Sequence, residues 1–264
     1  MSSGITASAY SARAAEYTSL FGSISSTNTD DRALVQDWAG SLDGKVLDAG
    51  CGPGQWTHFM HSIGVDAEGV DLVPEFIETA RQRYPDIPFT LGDLQVLPTP
   101  DQSLAGILAW YSVIHTPPED IGAVLDEFAR CLRPDGGLLL GFFEGVTLEV
   151  FPHAVTPAYF WPVQDMAARL QDAGFTVTST HSRADLGVRP HAAMVARRAK
   201  PRRPRWPLRR SRLCGGHTKS PVVRGRTTKN RPETQRLRPV LEGGPCGDRT
   251  HDPRIKSPML YQLS

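Results

Sequence analysis

The sequence predicts an α/β fold with a mostly parallel sheet and helices on both faces. A short apolar run begins at Val46, and a glycine-rich turn over residues 50–54 then leads into a segment with apolar residues at helical spacing. After this turn, strand-like apolar runs over 65–72, 88–94, 104–113 and 138–143 alternate with helical patterns. Such alternation is typical of β–α–β units, in which parallel strands are joined by helices that cover the sheet.

The chain before this turn is predicted to form a helical cap over residues 9–42. Residues 1–8 are small and polar, and we expect them to be disordered. Tyr10, Ala14 and Tyr17 share one helical face, since they are spaced at i, i+4 and i+7. Residues 30–42 form a second predicted helix, with Leu34 and Trp38 on one face.

The spacing of the glycines in this turn distinguishes between two classes of cofactor. Gly50, Gly52 and Gly54 stand at alternate positions, whereas the dinucleotide fingerprint G-x-G-x-x-G would require a third glycine where this chain has Gln55. Asp48 precedes the first glycine by two residues, and its carboxylate would repel a pyrophosphate. It would suit a ligand that carries an ammonium beside a sulfonium. The spacing therefore favours S-adenosylmethionine (SAM), with an NAD(P)-dependent oxidoreductase as an alternative.

The run V-L-D-A-G-C-G-P-G over residues 46–54 resembles the opening of small, stand-alone class I SAM-dependent methyltransferases of the type 11/25-like group. The turn L-R-P-D-G-G over 132–137 resembles the same family, and the resemblance covers residues 10–198. It implies a Rossmann-like, seven-stranded, mostly parallel sheet whose last strand is reversed. It also implies methyl transfer from SAM to a small-molecule O, N or C nucleophile.

The resemblance also implies a set of residues that bind the cofactor. Asp71 ends the second predicted strand, where a carboxylate can accept hydrogen bonds from both ribose hydroxyls. Asp93 follows the third strand, where the family's acid meets the adenine amino group. The alternative for Asp71 is an acid at a strand end that faces water, and the alternative for Asp93 is an ordinary turn. The predicted cofactor-binding residues are Tyr17, Asp48, Gly50, Cys51, Gly52, Gly54, Gln55, Asp71, Leu72, Asp93, Leu94, Trp110 and Tyr111.

The acceptor side is predicted beyond the fourth strand. His115 is the first candidate for a general base, because neutral histidine can accept a proton near pH 7. His153, in an aromatic-rich insertion over 144–161, is the second. A helix-capping or packing role for His115, and proton removal by water, stay open. The insertion is interpreted as a lid over the acceptor, with core packing as its alternative. No metal-ligand spacing is present in the sequence, so we expect no metal.

The charge distribution divides the chain near Arg198. Residues 1–198 hold 12 Lys and Arg and 24 Asp and Glu, a formal charge of −12, whereas residues 199–264 hold 17 and 4, a charge of +13. We therefore expect a methyltransferase domain over 1–198 that avoids nucleic acid and a disordered basic tail over 199–264.

For the tail, three interpretations stay open: a nucleic-acid-binding arm, which would make the protein RNA-modifying; a solvated tail; or read-through into an antisense tRNA gene. The first 25 residues lack a basic start and a long apolar core, so we expect no signal peptide. The most apolar run, 138–143, is far too short for a membrane span, so no membrane partner is expected. The cytoplasm is the expected location, and the oligomeric state stays open.

Overall fold

The computed structural model describes residues 2–200, which form seven helices longer than one turn and one nine-stranded sheet. The helices are α1 (Ser2–Ser11), α2 (Ala14–Phe21), α3 (Thr29–Gly40), α4 (Gln55–Ser62), α5 (Pro74–Arg83), α6 (Ile121–Cys131) and α7 (Val163–Asp172). The strands are β1 (Val46–Ala49), β2 (Ala67–Asp71), β3 (Phe89–Leu91), β4 (Leu104–Trp110), β5 (Leu132–Glu144), β6 (Glu149–Phe151), β7 (Ala158–Trp161), β8 (Phe175–Arg183) and β9 (His191–Arg198).

The sheet confirms the predicted fold class. Strands β3, β2, β1, β4 and β5 are adjacent in that order and parallel, with Val46 opposite Ala67 on one side and Gly106 on the other. Strand β9 runs antiparallel to β5, and β8 pairs with β9. The predicted seven strands are all present, and β9 is the reversed last strand.

Two local features differ from the sequence-based expectation. The insertion contributes a short hairpin, β6 and β7, and β7 joins β5 beyond the end of β4 through the pair Phe143 and Phe160. The predicted turn over 132–137 lies inside β5: Leu104 pairs with Leu132 but Gly106 pairs with Gly137, so residues 133–136 loop out of the ladder. Because the hairpin adds two strands to the predicted seven, the sheet has nine strands in the described residues.

Both faces of the sheet are covered, because successive residues of each buried strand point to opposite sides. One face packs Val46 of β1 against Trp38 of α3 and Met60 of α4. On the opposite face, Leu47 belongs to a cluster with residues of α6 and α7, in which Phe128 of α6 is fully buried. The carboxyl ends of the parallel strands are left at one edge of this core, where chain turns meet.

The N-terminal prediction needs correction. Residues 2–8, expected to be disordered, belong to α1, and the expected single helix that includes Tyr10 and Tyr17 is broken between Ser11 and Ala14. The shared face survives the break, because Tyr10, Ala14 and Tyr17 still converge on Phe76 of α5. The predicted disordered tail, residues 199–264, lies outside the described residues except for 199 and 200.

Candidate active site

Four chain turns meet at the carboxyl edge of the sheet. The glycine turn follows β1, Asp71 ends β2, Asp93 lies two residues past β3, and Tyr111 follows β4 directly. Strands β1, β2, β3 and β4 are parallel neighbours, so these turns lie side by side. Ligands of open α/β sheets bind at this edge, where the strand order reverses.

The glycine turn requires glycine for two different reasons. Gly50, Gly52 and Gly54 all have positive φ, at 82°, 54° and 87°. A side chain on Gly50 would lie 2.2 Å from Cβ of Ser112, whereas one on Gly52 would meet only the Tyr17 ring, at 3.9 Å. Gly50 therefore allows the turn to pack on the loop after β4. The space beside Gly52 lies between the turn and α2, at the position predicted to hold a cofactor.

Asp71 ties this turn to the next strand. Its two carboxylate oxygens accept hydrogen bonds from the backbone N–H groups of Gly52 (2.8 Å) and Val73 (2.9 Å). Burial raises the pKa of Asp71, although these backbone donors act in the opposite direction. A carboxylate offers about four lone-pair sites, so acceptor capacity remains for further donors such as ligand hydroxyls.

Asp48 lies beneath the turn and is only 1% exposed. Its Oδ2 accepts a hydrogen bond of 2.6 Å from the hydroxyl of Thr57, in the first turn of α4. Burial raises the pKa of Asp48 to about 7, with the Thr57 hydrogen bond opposing and the nearby Asp71 adding to the shift. A cation close to this carboxylate would relieve the cost of its charge, and direct contact with a ligand ammonium stays a prediction.

Two buried polar atoms beside the turn have no hydrogen-bond partner within residues 2–200: Gln55 Oε1 and Ser112 Oγ. Buried polar groups are normally paired, so unpaired atoms beside a predicted ligand site indicate missing polar partners. The amino-acid end of SAM carries such groups, and the residues present therefore fit this cofactor. The side chain of Cys51 instead packs on Ile77 and Phe89, which leaves only its backbone for a ligand.

The turn after β3 holds Asp93 half-buried, and its Oδ1 accepts a hydrogen bond of 2.9 Å from the N–H of Gln95. Leu94 packs on the core, and Leu72 is half-buried directly after Asp71. These positions agree with the sequence-based placement at the carboxyl edge. The assignment of Asp93 to an adenine amino group stays a prediction.

His115 is held on both ring nitrogens. Nδ1 lies 2.9 Å from the carbonyl oxygen of Pro157, and Nε2 lies 2.9 Å from the hydroxyl of Tyr10. A carbonyl can only accept, so Nδ1 carries the proton and Nε2 accepts from Tyr10. Burial lowers the pKa of His115 and raises the pKa of Tyr10 well above its ordinary value. Both side chains are therefore neutral at pH 7. The predicted role of His115 as base would require the Tyr10 hydroxyl to move away.

His153 lies beside His115, with ring centroids 5.0 Å apart. It belongs to the insertion, whose aromatic rings pack mainly on one another: Phe151 stacks on Phe160 at 4.1 Å and meets Phe143 edge-on at 5.3 Å. The packing alternative therefore accounts for these phenylalanines. The insertion nevertheless closes over the N-terminal helices, since Arg13 donates a hydrogen bond of 2.5 Å to the carbonyl of Ala154.

Trp110 and Tyr111 follow one another at the end of β4, and their predicted contact with the cofactor stays a prediction. The Trp110 ring packs on Trp56 of α4, with centroids 5.5 Å apart. Tyr111 has a φ of 56°, which is unusual for a residue with a bulky side chain, and its ring contacts Phe143 and His191. Both side chains line a cleft on the α3 side of the sheet.

Sequence reasoning missed Tyr10 as a partner of His115, and it missed Ser112 and His191 altogether. The i, i+4, i+7 pattern identified the Tyr10 face but not its distant contact, 105 residues along the chain. Ser112 follows two aromatic residues and has no pattern of its own. Only the fold places these side chains at the carboxyl edge.

Comparisons with known proteins agree with the predicted class. Residues 46–136 match the family model described as a methyltransferase domain. The malonyl-[acyl-carrier protein] O-methyltransferase of Yersinia pestis is 37% identical over 95 residues, which cover 36% of this chain and 34% of that protein. The demethylmenaquinone methyltransferase of Chlorobaculum parvum is 36% identical over 98 residues, 37% of this chain and 40% of that protein.

Among solved structures, the 1,6-didemethyltoxoflavin-N1-methyltransferase of Burkholderia thailandensis, with bound S-adenosylhomocysteine, shares the fold with a TM-score of 0.61. The identity is 21%, over 74% of this chain and 89% of that one. These matches support a class I SAM-dependent methyltransferase, with SAM as the cofactor. It spans only 34–40% of the length of the two curated relatives above. No helix in residues 2–200 is both long and apolar enough to cross a membrane.

Proposed function

We propose that this chain transfers the methyl group of SAM to a nucleophilic O, N or C atom of a small molecule. The observation that carries the proposal is the carboxylate of Asp71, which holds the glycine turn through Gly52 and keeps acceptor capacity for the ribose hydroxyls. Asp93 takes the adenine amino group, and Asp48 lies where the ammonium of the amino-acid end would be attracted. Gln55 and Ser112 offer the remaining polar contacts.

SAM supplies a methyl group that is already activated by its sulfonium. The protein's task is to hold the acceptor in line and to exclude water, and orientation of this kind can supply much of a rate enhancement. Exclusion of water is supported by two contacts that close the N-terminal helices over the site: Tyr10 with His115, and Arg13 with Ala154. A proton from an O or N acceptor passes to His115 if Tyr10 is displaced, to His153, or to water.

Relatives act on different atoms, as their names state: an O-methyltransferase, a demethylmenaquinone methyltransferase and an N1-methyltransferase. The choice of O, N or C therefore stays open. Two of the names refer to small molecules, whereas the first refers to an acyl group on a carrier protein. The charge of −12 over residues 1–198 opposes a phosphate-rich acceptor such as RNA. The oxidoreductase alternative is disfavoured because Gln55 begins α4 where a third glycine would be required.

Calorimetry with the full chain tests the cofactor assignment. Asp71→Asn replaces one acceptor oxygen with a donor, and we expect SAM to bind with about 1–3 kcal/mol less free energy, which is the cost of unpaired buried polar groups. Asp86→Asn is the matched control, because Asp86 is exposed in the turn after α5. Equal SAM affinity in the two variants, with both folded, would remove Asp71 from the cofactor site. Absence of SAM binding in the unmodified chain would refute the proposed function.

A further inference from the structure

A cleft lies beside the carboxyl end of β4, on the face of the sheet that α3 covers. It has a volume of about 260 Å³ and lies between the start of α3, the residues that end β4, and the loop end of the β8–β9 hairpin. Its walls are formed by Asp30, Asp31, Leu34, Trp110, Tyr111, His181, Ser182, Arg183, His191, Ala192 and Ala193. We refer to it as the α3–β8 cleft.

One wall of the cleft is aromatic and the facing walls are apolar. Trp110 and Tyr111 stand nearly perpendicular to each other, with ring centroids 5.5 Å apart. Leu34 and the small residues Ala192 and Ala193 complete the apolar lining. Tyr111 is held with positive φ by a hydrogen bond of 3.1 Å from its N–H to the carbonyl of Gly141. Walls of this kind suit a flat ring, because aromatic faces and edges stack favourably on one another.

The polar groups of the cleft discriminate between ring substituents. His191 Nε2 is buried and has no hydrogen-bond partner in the described part of the chain. Burial lowers the pKa of His191, and Arg183 lowers it further against the opposing effects of Asp31, Asp185 and Glu144, so the ring is neutral at pH 7. In a neutral imidazole Nε2 is a donor or an acceptor, depending on the tautomer. A hydroxyl group can pair with it in either state.

Arg183 is not available to bind an anion. Its two terminal nitrogens donate to the two oxygens of Asp31, at 3.0 Å each, and its Nε lies 3.0 Å from Asp185. The carboxylates of Asp31 and Asp185 therefore flank one guanidinium, and Asp30 adds a further negative charge to the lining of the cleft. The excess of negative charge repels anionic ligands from this opening.

The cleft is adjacent to the predicted cofactor site. Ser112, directly after Tyr111, is the residue whose Cβ would meet a side chain on Gly50, and Trp110 packs on Trp56 at the start of α4. The wall residues Trp110 and Tyr111 therefore directly precede the residue that packs on the glycine turn. We propose that the α3–β8 cleft binds the methyl acceptor, and that this acceptor is an uncharged aromatic ring with a hydroxyl group that pairs with His191. The inference rests on the proposed function and adds the acceptor class to it.

Binding measurements on the full chain, saturated with S-adenosylhomocysteine, test this proposal. The probe is 2-naphthol, and its matched controls are naphthalene, which has no group that can pair with His191, and the anion 2-naphthoate. We expect 2-naphthol to bind roughly tenfold or more tightly than either control, since one unpaired buried group costs about that factor. We expect His191→Phe, which keeps a ring in the wall, to abolish the preference for 2-naphthol over naphthalene.

A second pair of variants locates the site without relying on His191. Leu34→Trp fills the cleft and should remove 2-naphthol binding, whereas Val146→Trp adds the same side chain at a position that is 98% exposed on the turn before β6. Unchanged affinity in Leu34→Trp, or binding of naphthalene as tight as that of 2-naphthol, would overturn the proposal. SAM affinity is measured on every variant: its retention shows that the variant is folded, and its absence in the unmodified chain would refute the proposed function instead.

Discussion

Replacement of Asp48 by asparagine should change how stability depends on pH. Burial raises the pKa of Asp48 from 3.8 to about 7, and the carboxyl group is 1% exposed. Between these two values the folded chain keeps a proton that the unfolded chain releases, so stability falls as the pH rises from about 4 to about 7 and is unaffected by this group outside that window. The difference between these two pKa values corresponds to a loss of about 4 kcal/mol, at about 1.4 kcal/mol for each tenfold change in proton affinity.

The Asp48→Asn variant removes the charge but keeps a carbonyl oxygen that can accept from Thr57. The free energy of unfolding of the variant should therefore lack this slope, and above pH 7 the variant should exceed the wild type by as much as about 4 kcal/mol. Urea unfolding at half-unit steps from pH 4 to 8 measures the difference. Asp86→Asn, an exposed site, serves as the control.

Parallel pH profiles for wild type and Asp48→Asn would refute this reasoning, because they would show that native contacts fully offset the burial of the charge. The same variant should bind SAM more weakly if the carboxylate faces the ammonium. If Asp48→Asn is more stable but binds SAM less tightly, the carboxylate of Asp48 favours binding at the expense of stability.

Two further predictions concern the packing around the site. Gly50→Ala and Gly64→Ala both place a side chain at positive φ, at a cost of about 1–2 kcal/mol. Only the side chain at position 50 also meets a serine, so Gly50→Ala should lower the free energy of unfolding by about 1–3 kcal/mol more than Gly64→Ala does. Denaturant titrations measure both losses. Equal losses at the two sites would contradict the clash. Tyr10→Phe should cost about 1–3 kcal/mol because it leaves Nε2 of His115 buried without its donor. Tyr17→Phe, whose hydroxyl has no hydrogen-bond partner within residues 2–200, should cost clearly less, and an equal cost would show that the Tyr10 hydrogen bond is not what matters.

Local sequence patterns were sufficient for the parallel part of the sheet and for its turns. Val46 and Leu47 are buried on opposite faces, as a short apolar strand before a glycine turn requires. Asp71 and Asp93 were placed correctly because each ends or follows a strand whose neighbours are parallel. The seven predicted strands, including the reversed one, were identified from these patterns and from the resemblance of the 46–54 and 132–137 motifs.

The remaining features depend on contacts between residues far apart in the sequence. The hairpin of β6 and β7 has only three and four residues per strand, and β7 is stabilised by pairing with β5 beyond the end of β4. The β-propensity of so few residues is a weak indication of a strand. His115 was recognised as a candidate base from its position alone, whereas the Tyr10 hydroxyl that occupies its acceptor nitrogen comes from α1. The cleft was not foreseen, because its walls come from α3, β4, β8 and β9.

The bidentate pair of Arg183 with Asp31 joins residues 152 positions apart in the sequence. On a ribosome, α3 and the glycine turn emerge long before β8, and β9 must then insert against β5 before the hairpin end can reach α3. The glycine turn can therefore form early in synthesis, while the walls of the α3–β8 cleft come together last. Loop closure over such a separation is slow, so the final step of folding on this chain should be the docking of its last two described strands.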